Sequence, residues 1–171
     1  MTAGDYFSGV PHAAGLPPVE SWQPVHCGDS RMRIARDGTW FHDGAPIGRK
    51  ELVRLFAGLL RKDAEGFVLV TPAEKLSIAV EDAPFLAVLL EAEGEGSARR
   101  LTFTTNVGDR ALLGPEHGLR IANGVPYLHM RRGLEAKISR AVFYQLADLA
   151  LPEDGVLGVW SAGMFFPLGA P

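Results

Sequence analysis

The chain has 171 residues, 47% of them hydrophobic and 22% charged, and a net charge of −3, which suits one domain or two small lobes able to fold unaided. The mild acidity argues against bulk attraction to nucleic acid or to an anionic membrane surface. The single cysteine, Cys27, rules out an internal disulfide and a cysteine-rich zinc site and fits a reducing cytoplasm; the N-terminus lacks the basic-then-apolar pattern of a signal peptide, and the longest apolar run, Ala83–Leu90, is far too short to span a membrane.

Residues 1–30 carry Pro11, Pro17, Pro18, Pro24 and four glycines, the composition of an extended arm with Trp22 as its anchor. Met32–Arg36 and Thr39–His42 read as strands around an Asp37-Gly38 hairpin turn. Leu52, Leu55, Phe56, Leu59 and Leu60 then form one apolar stripe, predicting a helix over Gly48–Lys62 with Arg49, Lys50, Arg54, Arg61 and Lys62 mostly off that stripe. Phe67–Thr71 and Lys75–Val80 read as strands, the second half-buried by its alternation. A C-terminal lobe follows from 84: strands at Phe85–Glu91, Arg99–Thr105, Ala111–Leu113, Gly118–Ala122 and Tyr127–Met130. A second helix is predicted over Gly133–Ala150, and a closing hairpin pairs Val156–Trp160 with Met164–Leu168 around Ser161-Ala162-Gly163.

Two stretches, 31–82 and 118–168, look like versions of one unit. Ile34-Ala35 recurs 87 positions later as Ile121-Ala122, and Trp40-Phe41-His42 recurs at the same offset as Tyr127-Leu128-His129. Each is followed by a predicted helix, an acidic-Gly turn and an apolar run. The pattern predicts a duplicated strand–strand–helix–strand–strand supersecondary unit, and with it a seam between halves, a common place for ligands.

Motifs of known chemistry are scarce. Gly158-Val159-Trp160-Ser161-Ala162-Gly163 superficially suggests a nucleophile elbow, but Gly158 is one position too early and a strand follows, so a hairpin turn is the expectation. The five histidines lack the i, i+4 spacing of a helical metal pair, and no metal site is expected. His42 and His129 occupy equivalent repeat positions, either as seam residues or as ordinary strand-end histidines. Glu81-Asp82 and Glu153-Asp154 read as solvated turn acids. One basic cluster stands out. Arg131 and Arg132 precede the predicted second helix, and Lys137, Arg140 and Tyr144 follow along one flank. A helix N-terminus with arginines favours an anion; the alternative is pairing with acids on a solvated face.

The chain also carries an ordered set of segments: Trp22-Gln23-Pro24, Asp37-Gly38-Thr39-Trp40, Pro46-Ile47-Gly48-Arg49, Val70-Thr71-Pro72-Ala73-Glu74-Lys75, Val80-Glu81-Asp82-Ala83-Pro84-Phe85, Thr105-Asn106, Pro126-Tyr127 and Arg131-Arg132-Gly133-Leu134-Glu135-Ala136. Together they resemble a proteobacterial family of small uncharacterised proteins, known only as a domain of unknown function. The resemblance implies a duplicated core, a C-terminal lobe superficially like a pleckstrin-homology fold, a groove between lobes for a nucleotide-like ligand, and a role in signal transduction.

The expectation is therefore an α+β protein with an N-terminal arm over 1–30, an N-terminal lobe over 31–83 and a C-terminal lobe over 84–171. It is expected to be a cytoplasmic module that binds a nucleotide-like anionic small molecule, with no cofactor, nucleic acid or membrane partner. The expected ligand residues are Arg131, Lys137 and Arg140 for charge and Trp40, Tyr127 and Tyr144 for stacking. An enzyme acting on such a ligand and a protein-interaction adaptor are the alternatives. Oligomeric state is not legible.

Overall fold

The structure, a computed structural model, describes residues 15–169. The first part of the expected 1–30 arm, residues 1–14 with Pro11 and His12, lies outside them. The chain divides into two compact units at 82/83. Among the described residues both are rich in β-strand and each holds one α-helix, so the fold is α+β with two β-rich lobes.

In the first unit, β1 (His26–Ile34), β2 (Trp40–His42) and β3 (Ala45–Pro46) form one antiparallel meander. α1 (Lys50–Gly58) leads to a second: β4 (Leu60–Asp63), β5 (Gly66–Val70) and β6 (Glu74–Val80). The two meanders join through a parallel pairing of β1 with β6, giving the order β3-β2-β1-β6-β5-β4. Strand alternation sets the core: Leu76 and Ile78 on β6 are buried while Ser77 and Ala79, which alternate with them, are exposed. They join Met32, Ile34, Trp40, Phe56, Leu59 and Leu69.

Residues 15–30 belong to this unit. β1 already begins at His26, and Val19, in a short 3-10 turn, is fully buried. Val19, not Trp22, is the apolar anchor; Trp22 is half-buried and contributes its carbonyl. The first helix is also shorter than predicted. It ends at Gly58, and Leu60–Asp63 becomes β4, paired with β5 from Leu60↔Leu69 to Asp63↔Gly66. Glycine is a weak helix former, and the long-range ladder takes over there. The change moves Arg61, expected off the apolar stripe of a helix, into the interior, where it is 6% exposed.

In the second unit, β7 (Phe85–Glu93), β8 (Arg100–Thr105) and β9 (Arg110–Leu112) form one meander, and β10 (Leu119–Ala122), β11 (Val125–Arg131) and β12 (Leu134–Ile138) another. A parallel β7–β12 pair joins them in the order β10-β11-β12-β7-β8-β9. Counted from its first strand, this sheet has the same order as that of the first unit. α2 (Arg140–Asp148) follows, and β13 (Leu151–Glu153), β14 (Val156–Ser161) and β15 (Met164–Gly169) make a separate three-stranded sheet.

The predicted second helix over Gly133–Ala150 is half strand. Leu134 and Ile138 stand four apart and suit a helix, but Ala136 between them is buried too and Glu135 and Lys137 are half-exposed, a period of two. β12 is paired on both sides, by β11 and β7. Arg132 (φ 50°) and Gly133 (φ 77°) form the tight turn into it. Helix α2 starts after Ser139, whose hydroxyl caps it by accepting from the Val142 N–H at 3.3 Å.

The strand–strand–helix–strand–strand order occurs in both units, and side chains repeat with it. Arg33 faces Phe41 across the ladder with its guanidinium 4.2 Å from the ring, and pairs with Glu81 at 2.6 Å. Arg120, 87 positions after Arg33, faces Tyr127 with its guanidinium 4.6 Å from the ring and holds Glu135 through two bonds of 2.9 Å. The units differ in where the strands after the helix go: β4 and β5 join the main sheet, whereas β13 and β14 do not. No helix among the described residues is long and apolar enough to cross a membrane.

Candidate functional site

A cavity of about 350 Å³ lies wholly within the second unit, inside the size range of small-molecule sites, ~300–1,000 Å³. Two backbone features frame it. Asn123 (φ 52°) and Gly124 (φ 75°) turn β10 into β11, and Gly124, Val125 and Pro126 form one wall. The end of β12 and the first turn of α2 form the other: Lys137, Ile138, Arg140, Phe143 and Tyr144. Lys137 points away from the sheet core because its neighbours Ala136 and Ile138 point into it. Phe143 and Tyr144 pack ring against ring, 6.3 Å apart and tilted by 51°. Phe143 is half-buried and Tyr144 is 57% exposed. Arg140 is exposed and, among the described residues, has no hydrogen-bond or ion-pair partner. The lining holds two cations and no carboxylate or histidine.

Three of the six expected ligand residues therefore share this cavity: Lys137, Arg140 and Tyr144. Three stand elsewhere. Trp40 is 2% exposed, with its ring stacked 6.5 Å from Phe56 in the first unit's core. Tyr127 lies opposite Lys137 on the ladder and under the Arg120 guanidinium. Arg131 precedes a hairpin turn rather than a helix, so no helix N-terminus reinforces it. Its guanidinium pairs with Asp109 and sits 4.9 Å from the Phe85 ring, and only 15% of the side chain is exposed. Phe143, Val125 and Pro126 escaped the sequence reading. Asn123-Gly124 is a readable hairpin signal, but Phe143 looks like any residue on a helix flank.

Two histidines, His117 and His129, meet main-chain atoms. His129 Nδ1 donates to the Glu116 carbonyl at 3.2 Å while its Nε2 accepts from the Gly133 N–H at 3.1 Å. The second bond requires the neutral ring with hydrogen on Nδ1. His42 is half-buried, 3.7 Å from the Asp43 carboxylate. No group of three or more His, Cys, Asp or Glu residues among the described residues is placed to hold a metal ion.

Ser161 ends β14 at a hairpin turn and is fully buried. Its hydroxyl donates to the Leu113 carbonyl at 2.7 Å and accepts from the Leu101 N–H at 3.0 Å. Both functions of the hydroxyl are committed to main chain, tying β14 to β8 and to the residue after β9. Ser161→Ala strands a buried donor and acceptor and should cost about 1–3 kcal/mol, read as a lowered denaturation midpoint with unchanged urea m-value. A change under about 0.5 kcal/mol would show that water replaces the hydroxyl.

A second, polar cavity of about 370 Å³ lies in the first unit beside Glu20, Gln23, Arg61, Asp63 and Lys75. Arg61 holds Asp63 at 2.7 Å and 3.0 Å and also donates to the carbonyls of Val19 and Trp22, both at 2.8 Å. Lys75 Nζ reaches Asp63 at 3.1 Å. The hydrogen bonds from Arg61, then those from Lys75, hold the Asp63 carboxyl below its ordinary value against the opposing effect of burial. The folded state thus holds its proton less readily than the unfolded chain. The associated stability is complete above the unfolded value, about 4, and falls away as pH drops through the depressed folded value. Asp63→Asn should accordingly be less stable than the parent at pH 7, and the gap should narrow toward pH 2 in urea titrations. A pH-independent gap would assign the effect to packing.

The comparisons with known proteins agree with one another. The model described as "Domain of unknown function (DUF1285), N-terminal domain" matches residues 17–83, and that described as "Protein of unknown function (DUF1285), C-terminal domain" matches 84–168. A crystal structure of a DUF1285 family protein from Silicibacter pomeroyi DSS-3 is 51% identical, with a TM-score of 0.87 over 92% of this chain and 90% of that one. One from Shewanella baltica OS155 is 28% identical, with a TM-score of 0.56 over 68% and 90%. No curated protein matches.

Proposed function

The chain belongs to the DUF1285 family, and from that premise we propose that its second unit is a binding module for a small anionic molecule with a flat or apolar part, a nucleotide-like ligand in the broad sense. The observation that carries this reading is the cavity in which Lys137, Arg140, Phe143 and Tyr144 share one lining without a carboxylate. Positive side chains beside aromatic surface, in a lining without a carboxylate, favour an anion attached to a ring: a charged hydrogen bond contributes ~1.5–3 kcal/mol, and a stacked base ~1–3 kcal/mol. Lys137, Arg140 and Tyr144 carry the expectation of an anion-binding basic flank. Trp40, Tyr127 and Arg131 are left to structural roles. A cytoplasmic sensor in signal transduction is the role this module suits. The lining contains no histidine, cysteine or acid for nucleophilic or acid–base work, which favours sensing over turnover.

A thermal-shift panel of anionic metabolites tests it. A hit is expected whose affinity falls about tenfold or more in Arg140→Ala, equivalent to ~1.4 kcal/mol, with the melting temperature of the free protein unchanged because Arg140 is exposed and unpaired among the described residues. A hit indifferent to Arg140→Ala removes this cavity from consideration, and product formation from a hit turns the reading into an enzyme.

A further inference from the structure

We infer that the cavity of the second unit takes an aryl carboxylate, a plain aromatic ring system bearing one carboxyl group; the inference rests on the binding reading above and narrows it. The ring is the first argument. Apart from Lys137, Arg140 and the Tyr144 hydroxyl, the lining side chains are those of glycine, valine, proline, isoleucine and phenylalanine, and none of these donates or accepts a hydrogen bond. Pro126 also removes one main-chain donor from the wall it helps to form. A nucleobase carries several donors and acceptors on its edge, and sites that take such a ring place polar groups against them. Buried here, that edge exchanges water for hydrocarbon, which is unfavourable for each group left unanswered. A ring without polar substituents escapes that cost. It meets Pro126, Ile138 and Phe143, and the exposed face of Tyr144 offers an aromatic partner.

The anion is the second argument. Lys137 is already engaged within the protein, whereas Arg140 is exposed and makes no hydrogen bond or ion pair among the described residues. Recognition of the anion therefore falls to Arg140, with one charge and one planar fork. A carboxylate answers both, with a single negative charge and two coplanar oxygens. A phosphate monoester brings about −1.5 to −2 at pH 7 and a third strong acceptor, more than one guanidinium satisfies. Arg140 opens α2, and Phe143 and Tyr144 follow it three and four positions on, so guanidinium and rings stand on one side of the same helix. At about 350 Å³ the cavity is at the lower end of ligand sites, which suits a compact ring with its acid group attached directly.

Isothermal titration of the full chain tests this with 1-naphthoate, 1-naphthyl phosphate, 1-naphthylmethanol, acetate and adenosine 5′-monophosphate. The expected result is binding of 1-naphthoate, at least tenfold tighter than acetate, the uncharged alcohol or the nucleotide, with the naphthyl phosphate no tighter than the carboxylate. Arg140→Ala should weaken 1-naphthoate tenfold or more. Tighter binding of the naphthyl phosphate that still depends on Arg140 overturns the carboxylate but keeps the anion site. Nucleotide binding that equals or exceeds that of 1-naphthoate overturns the plain ring and likewise leaves the broader reading standing. Acetate matching 1-naphthoate removes the ring from recognition, and the alcohol matching it removes the charge. Absence of binding by every probe at millimolar concentration, or 1-naphthoate binding indifferent to Arg140→Ala, overturns this inference together with the reading beneath it.

Discussion

Replacing Arg61 with Leu should destabilise the first unit by about 3 kcal/mol, the lower end of the ~3–5 kcal/mol range for breaking a buried pair from one side. The lower end applies because Lys75, 3.1 Å from Asp63, still answers the carboxylate. What remains unanswered are the carbonyls of Val19 and Trp22, both held by the same guanidinium nitrogen. For a unit of this size the midpoint should fall by roughly 10 °C or more. The segment before β1 should also become cleavable by chymotrypsin after Trp22 under native conditions, because its tie to β4 is gone. Arg61→Lys should recover little, since an ammonium cannot reproduce the fork to Asp63 and the donation to two carbonyls together. A variant as stable and as protease-resistant as the parent would show that burial of Val19 alone holds the segment.

Gly158→Ala should be equally damaging in the second unit. Gly158 is buried on β14, beside a register shift with β15. A Cβ there meets the Phe166 carbonyl oxygen at less than contact distance, and stands 2.8 Å from Phe165 Cε1. The ring can rotate only by disturbing its 5.6 Å contact with Trp160, and the carbonyl belongs to the partner strand. Overpacking typically costs ~1–3 kcal/mol, and more where backbone must move, so about 3 kcal/mol is expected. Loss of tryptophan fluorescence change from Trp160 at lower urea is the measurement. A loss under about 1 kcal/mol would mean that β15 slides aside freely. Gly163, at a hairpin turn with nothing within 4 Å of an added Cβ, is the contrasting case: its φ of 75° makes alanine a matter of backbone strain alone.

Both variants bear on legibility. Gly158 is indistinguishable in sequence from the turn glycines around it, because a close approach by another strand leaves no local mark. Arg61 falls off the predicted apolar stripe because the run through Leu59 and Leu60 extends the expected helix past Gly58. Only pairing with β5 turns those residues into strand and carries Arg61 inward.

The six ligand candidates divide on the same ground. Trp40 and Tyr127 are equivalent by sequence offset, yet Trp40 points into the first unit's core and Tyr127 lies on the outward face of β11 under Arg120. Their equivalence in the repeat did not make them equivalent in burial. Arg131 lost its helix N-terminus when Leu134–Ile138 formed a strand, whereas Arg140, placed mid-helix by sequence, stands at the true start of α2.

What the amino-acid order determined by itself is what depends on near neighbours. The alternation of β6, the turns at Asp37-Gly38 and Ser161-Ala162-Gly163, the apolar face of α1 and the duplicated element order all follow from side-chain periodicity and local backbone preference. Tertiary structure alone decided whether Leu134–Ile138 is helix or strand, since over five residues the i, i+4 and i, i+2 patterns share the same end residues. It also decided the parallel β1–β6 and β7–β12 pairs that give both sheets one order, and the meeting of the Asn123-Gly124 turn with Lys137, Arg140 and Phe143 at one cavity. Those features arise from backbone hydrogen bonds and apolar contacts between residues far apart in the chain, whose free energy outweighs the small local preferences that a sequence window can register.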